Sequence, residues 1–229
     1  MADFDVFGHA LNDYLIGNDD TELILHNSYG DPEYLPVSIF FREIEDLTQL
    51  EMTAINLCQG EILDIGAGVG AITIIAQEHF NITGLERSKD ACEIATQLGV
   101  KNMVNEDIWS FGGQRYDTLL MLMNGIGIVG KFKSLKPFLN HLSTLLKPEG
   151  QIILDSSDLS YLFPAFETNP ELGEISFQYE YKGNKGDWFE WLFIDQDTLT
   201  KCASEVGFDT EIMMQNEDDQ YLARLTLVR

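Results

Sequence analysis

Three glycines at every second position, Gly66, Gly68 and Gly70, follow Asp64 in the run EILDIGAGVGAITIIA, residues 61–76. Glycine weakens regular structure because it has the most backbone freedom to lose. Its use here is to let the main chain approach a ligand closely, beside the unpaired N–H groups of a helix start. Carboxylates stand at two further places. Glu86 ends the run NITGLE, 20 residues beyond Gly66, where a carboxylate can accept hydrogen bonds from both hydroxyls of a ribose. Asp107 lies in NEDIW and can accept an adenine amino hydrogen while Ile108 packs on the ring face. Plainer readings stand beside these. The glycines could make a tight turn, Glu86 could be a solvated strand end, and Asp107 could cap a short turn. Gly66, Gly68 and Ala71 also satisfy the looser dinucleotide spacing Gly-x-Gly-x-x-Gly/Ala. A nicotinamide-dependent, NAD(P)-using oxidoreductase is therefore an alternative.

The surrounding elements decide how these residues are held. Residues 61–65 read as a buried strand and 69–78 as a helix. Residues 81–86 form a second strand, followed by a helix with Ser88 as N-cap and Gly99 as its close. KNMVNED gives a short third strand. YDTLLMLMN gives a nearly all-apolar fourth, as expected where helices cover both faces. A helix over 133–147 is broken by KPEG before a fifth strand, QIILDSS. Strands alternating with helices at this spacing predict a doubly wound, mostly parallel sheet with right-handed crossovers. Ahead of it, Phe4, Phe7, Leu11 and Leu15 mark one helical stripe, residues 17–43 read as irregular, and a second helix carries Ile44, Leu47, Ala54, Leu57 and Cys58. Behind it, EISFQYEYKG and DWFEWLFID form a hairpin through GNKG. A helix over 197–206 then leads to two antiparallel strands, FDTEIMMQ and QYLARLTLVR. The whole reads as one domain: a cap over 1–60, a core over 61–156, an insertion over 157–195 and a closing helix and strand pair over 196–229.

Fourteen basic residues face 38 acidic ones, a net charge of −24. Such a surface repels nucleic-acid phosphates and anionic membranes and mildly favours cationic ligands. Cys58, Cys92 and Cys202 have no metal-ligand spacing and read as buried thiols in a reducing compartment. The acidic start is no secretory signal, and no apolar run reaches membrane-spanning length. A cytoplasmic protein is expected.

In order, ILDIGAGVGAITI, GLER, NEDIW, YDTLLMLMN and LLKPEGQIILD resemble the successive motifs of class I S-adenosylmethionine-dependent methyltransferases. The resemblance covers residues 60–156, and the closing helix and strand pair fit that family's antiparallel seventh strand. It implies a Rossmann-like, seven-stranded sheet with an antiparallel last strand, an N-terminal helical cap, an inserted β-hairpin, and S-adenosyl-L-methionine as cofactor. It also implies site residues. Gly66, Ala67, Gly68 and Gly70 would line the methionine moiety with Asp64 near its ammonium. Glu86, with Arg87 beside it, would bind the ribose, and Asp107 and Ile108 the adenine. Met123 and Asn124 would flank the cofactor near its sulfonium. Arg42 would reach the cofactor carboxylate or else pair with Glu43 or Glu45 at the surface.

Methyl transfer from a sulfonium needs alignment and water exclusion more than acid catalysis. A protonated nucleophile also needs a base. His26, Tyr29, Asp155, Asp158, Tyr161, Tyr179 and Tyr181 are candidates, and no motif singles one out, so the catalytic residue stays unassigned. The aromatics of the hairpin suit core or a homodimer interface better than a substrate wall. The fourth strand ends in MNGIG, not the Asp/Asn/Ser-Pro-Pro-Tyr/Phe pattern used to grip a planar amino group. The Asp/Asp-Asn set of magnesium-dependent catechol methyltransferases is not recognisable, so no metal is expected. A small-molecule acceptor is the reading that remains, with a non-catalytic, methyltransferase-like binding module as the other alternative.

Overall fold

A computed structural model describes residues 5–18, 20–162 and 170–228. Phe4 lies outside the described residues. The chain begins with α1 (Val6–Leu15) and continues through β1 (Glu22–Asn27), β2 (Glu33–Pro36) and α2 (Gln49–Leu57). The alternating part follows as β3 (Glu61–Ile65), α3 (Ala71–Ala76), β4 (Asn81–Glu86), α4 (Lys89–Leu98), β5 (Met103–Asn105), β6 (Tyr116–Met121), α5 (Leu135–Thr144) and β7 (Leu146–Ser157). The last part holds β8 (Glu174–Tyr181), β9 (Asn184–Lys185), β10 (Phe189–Leu192), α6 (Gln196–Ser204), β11 (Phe208–Gln215) and β12 (Gln220–Leu227).

The main sheet has seven strands in the order β11-β12-β7-β6-β3-β4-β5. The pairings from β7 to β5 are parallel, while β12 runs antiparallel to both β7 and β11. This is the Rossmann-like arrangement expected. Its physical origin is plain in β3 and β6, which are apolar on both faces. Leu63, Ile65, Leu119 and Met121 join a cluster with α5 and α6. Their neighbours Ile62 and Leu120 point the other way, onto Leu50 and Ala54 of α2 and Ile72 and Ala76 of α3. Burying each such aliphatic side chain contributes about 1.5–3 kcal/mol.

Helix boundaries follow their caps. Thr48 accepts from the Glu51 amide and Glu51 answers with the Thr48 amide, a capping box that starts α2. The predicted single helix from Ile44 is therefore split, and Ile44 sits 49% exposed in a separate 3₁₀ turn. The α3 helix is shorter than its apolar pattern, because the backbone enters it only after Gly70. The α5 helix stops at Thr144, short of the predicted 147, and Leu146 instead opens β7 opposite Tyr116.

The larger correction concerns residues 17–43. They are not irregular, since β1 and β2 form a hairpin there. The hairpin joins β8 and β10 in a second sheet of order β10-β8-β1-β2, with β9 on β8. The cap and the insertion thus build one structure, and the cap is part strand rather than wholly helical. Alternation in ELILHN is too short and imperfect to reveal β1 before its partner is known. The α1 helix packs on α4 so closely that a Cβ at Gly8 would lie 2.5 Å from the Asp90 Cβ.

Candidate functional site

The carboxyl ends of β3, β4 and β6 open into a cavity of about 1360 Å³ between the two sheets. The glycines divide their work at its floor. All three adopt positive φ, at +78° for Gly66, +54° for Gly68 and +81° for Gly70, where a side chain is strained. Gly68 faces open space, with nothing within 4 Å of a would-be Cβ. Gly70 does not line the cavity. A Cβ there would lie 2.5 Å from Val100, so this glycine lets α3 start against the end of α4.

Asp64 is 4% exposed and accepts a hydrogen bond from Thr73 Oγ1 at 2.6 Å. Burial pushes its carboxyl up to about 6 against the pull of that hydrogen bond, with the Glu86 charge adding to the rise. Glu86 lies across the loop and accepts from the Gly68 amide at 3.0 Å and the Ser88 amide at 2.8 Å. Burial raises its pKa and these backbone donors oppose the shift. A carboxylate has about four acceptor positions, so Glu86 keeps capacity for ribose hydroxyls. Ser88 caps α4 and donates to Asp5 at 2.5 Å, and Asp5 itself caps α1. The cap helix is thereby tied to the end of β4.

Ala67, Arg87, Asp107, Ile108, Met123 and Asn124 line the same cavity. Arg87 and Asp107 are exposed at its edge and Ile108 is buried. The Asp107 carboxylate accepts from the Trp109 amide at 2.8 Å, so it serves its turn as well as facing the cleft. Met123 and Asn124 both take left-handed backbone, at φ 62° and 55°. Asn124 bonds the Leu192 carbonyl at 3.1 Å and the Ser157 amide at 3.1 Å, fastening the end of β6 to β10 and β7. Arg42 also lines the cavity. Its partner is Glu51, at 2.7 Å, and not Glu43 or Glu45. Its Nε is buried with no hydrogen-bond partner.

The candidate bases separate sharply. Of the seven, only Tyr179 lines the cavity. Asp155, offered as a candidate base, is instead fully buried behind the cleft, accepting from the Gly125 amide at 2.8 Å and Gln220 Nε2 at 2.9 Å. Asp158 caps a turn at Ser160. His26 pairs with Glu180 at 2.7 Å, Tyr181 donates to Asp13 at 2.7 Å and Tyr29 donates to Glu33. Tyr161 is 66% exposed. One group escaped the sequence reading: His9, an exposed residue at the cavity mouth on α1. Another was expected to make core or a homodimer interface ahead of a substrate wall: the ring-bearing face of β8 and β10, whose Phe177, Tyr179, Phe189 and Trp191 line the cavity. Their period-two spacing was the available signal, but nothing in it showed which way the face pointed.

Among the described residues, no group of three or more His, Cys, Asp or Glu is placed to hold a metal ion. No helix among them is long and apolar enough to cross a membrane. The fit to an adenosyl-amino-acid rests on the chain's own groups: a bare main-chain turn at Gly68, a buried carboxyl at Asp64 and a part-buried one at Glu86 on the adjacent strand, and an orphaned arginine Nε.

A family model for a methyltransferase domain matches residues 38–211. No curated protein sequence matches. A crystal structure of a SAM-dependent methyltransferase from Bacteroides fragilis, in complex with S-adenosyl-L-homocysteine, superposes with a TM-score of 0.91 at 35% identity. It covers 98% of this chain and 95% of that one. The CcbJ methyltransferase from Streptomyces caelestis shares the fold, with a TM-score of 0.61 at 13% identity over 79% of this chain and 88% of that one. The nicotinamide alternative falls away, and the chain belongs to the class I S-adenosylmethionine-dependent methyltransferases, enzymes whose cofactor is S-adenosylmethionine.

Proposed function

We propose that the protein methylates a small-molecule acceptor inside the cavity between its two sheets. One observation carries this reading. The second sheet stands across the cleft at the strand ends, so the space beside the proposed cofactor site is walled by aromatic side chains on the scale of a small molecule. The acidic surface argues the same way against nucleic acid.

In this reading Asp64 receives the cofactor's ammonium, and the main chain of Gly66, Ala67 and Gly68 runs along its methionine portion. Glu86 accepts from the ribose hydroxyls, with Arg87 beside it. Asp107 and Ile108 hold the adenine, and Met123 and Asn124 border the sulfur. The buried, partnerless Nε of Arg42 suits the cofactor carboxylate, because an unsatisfied buried donor costs about 1–3 kcal/mol that a carboxylate would relieve. Gly70 is assigned to shaping the loop. Bound S-adenosylmethionine supplies a methyl group on a sulfonium that leaves as a neutral thioether. The chain's part is to seat that group, orient the acceptor in line and keep water out, which is work of position and desolvation. The three buried free cysteines fit a reducing, cytoplasmic setting.

Calorimetric titration tests the reading. S-adenosylhomocysteine should bind, NAD(H) should not, and Glu86→Ala should weaken the former. Binding of S-adenosylhomocysteine with no methyl transfer to any small molecule would leave a binding module instead.

A further inference from the structure

We propose that the acceptor is an amine with an apolar body, methylated on nitrogen and held against the rings of the second sheet. The inference rests on the small-molecule methyltransferase reading above.

The rings form a continuous wall. Phe40 meets Phe7 edge-on at 5.0 Å, and Phe7 stacks on Tyr179 at 5.5 Å and 18°. Tyr179 lies 5.2 Å from Phe189, and Phe189 lies 6.3 Å from Trp191. Trp191 Nε1 donates to the Asn124 carbonyl at 3.1 Å, so the wall ends beside the turn that borders the cofactor cleft. All five rings line the cavity. Aromatic faces attract ammonium groups, most strongly where water is excluded.

Charge at the mouth favours the same ligand. Glu106, Asp107 and Asp187 line the cavity and are exposed. Arg87 and Lys89 are exposed there too, Lys89 paired with Glu93, while Arg42 is already paired with Glu51. With a net charge of −24 on the whole chain, an anionic acceptor is disfavoured and a cationic one drawn in.

Among the described residues, the groups that could serve as a base beside the wall are either engaged or at the mouth, and this selects the acceptor atom. An alcohol must give up its proton as its oxygen is methylated, which calls for a base within reach. Tyr179 is the wall's one ionisable group, and burial pushes its phenol up to about 12, so it stays protonated. Asp155 is engaged behind the wall by Gly125 and Gln220. His26 lies outside the cavity, paired with Glu180. Glu190, next to Phe189, accepts from Ser176 and pairs with Lys131, while Asp187 and His9 stand at the mouth. An amine needs none of them, because a fraction is the free base at neutral pH, its proton having gone to water. The nitrogen lone pair forms the new N–C bond, the S–C bond breaks with its electrons on sulfur, and the positive charge passes from sulfur to nitrogen. The charge stays under the same aromatic faces.

The test starts from the wild-type protein saturated with S-adenosylhomocysteine. Phenethyltrimethylammonium and its neutral tert-butyl isostere are titrated calorimetrically. The ammonium should bind about ten-fold more tightly. Phe189→Leu and Tyr179→Leu should each erode that preference to about three-fold or less, with S-adenosylhomocysteine affinity held. In turnover with labelled cofactor, matched amines and alcohols should be labelled on nitrogen only. Equal or tighter binding of the isostere overturns the proposal. So does label on the alcohol oxygens, and its loss in His9→Gln or Asp187→Asn would identify the base. Failure of S-adenosylhomocysteine to bind would instead overturn the underlying reading.

Discussion

The two walls of the cavity are built in opposite ways. The wall proposed to hold the cofactor comes from one stretch, β3 to β6, whose strand ends lie along one edge of the sheet in the order β6-β3-β4-β5. Its contacts are main-chain groups and carboxylates held at strand ends. The facing wall comes from β1, β8 and β10, gathered from two distant parts of the chain, and its contacts are side-chain rings. A main-chain site leaves the sequence little freedom, because glycine is needed wherever the backbone turns left-handed or approaches closely. A ring wall tolerates many substitutions of similar volume. The first wall can therefore stay constant while the second changes its ligand.

Substitutions on the two walls should separate these roles. The largest effect is expected from Glu86→Ala, which removes charge-assisted acceptors from the ribose and from the Gly68 and Ser88 amides. S-adenosylhomocysteine affinity should fall about a hundred-fold, from roughly 2–3 kcal/mol of lost hydrogen bonding, as read by calorimetry. Next comes Gly70→Ala, which forces a side chain to φ +81° and within 2.5 Å of Val100. It should cost about 2–3 kcal/mol in denaturant unfolding. Cofactor affinity of the folded protein should change far less, since Gly70 lies outside the cavity.

Asp64 gives a pH test. Its carboxyl titrates near 6 in the free protein, and an ammonium binds only the ionised form. S-adenosylhomocysteine affinity should be level above about pH 7 and fall as pH drops through 6, approaching ten-fold per unit. Asp64→Asn should bind more weakly and without that slope. The raised value has the opposite consequence for stability. The protonated carboxyl suits its buried site, so its contribution to the fold diminishes as pH rises from about 4 through 6. The smallest effect is expected from His26→Ala. Its pair with Glu180 is partly solvated, with side chains 21% and 20% exposed. Thermal unfolding should shift by the equivalent of about 1 kcal/mol or less, and methyl transfer should persist.

The same contrast sets what could be read from residues alone. Asp64, the glycines, Glu86 and Asp107 are legible because a parallel sheet brings consecutive strand ends to one edge, so order along the chain is order in space. The helix limits were blurred where a cap overrode periodicity, at Thr48 and Gly70. Ile175, Phe177, Tyr179 and Tyr181 showed alternation but no destination, because the strand they pair with, β1, was hidden in a turn-rich stretch. Asp155 misled for a related reason. It sits at a strand end, but the neighbour that turns it inward, Gln220 on β12, is far away in sequence.

The long separation between β1 and β8 bears on biosynthesis. Residues 22–36 leave the ribosome while their partner strand is still untranslated, and at about 5–20 residues per second they must wait for the entire parallel core to emerge. During that interval Leu23 and Leu25 sit on a hairpin with an open edge, the kind of template that recruits another nascent chain. Acidic residues bracket β1 in GNDDTE and GDPE, and the sheet that roofs the cavity is among the last parts to be assembled.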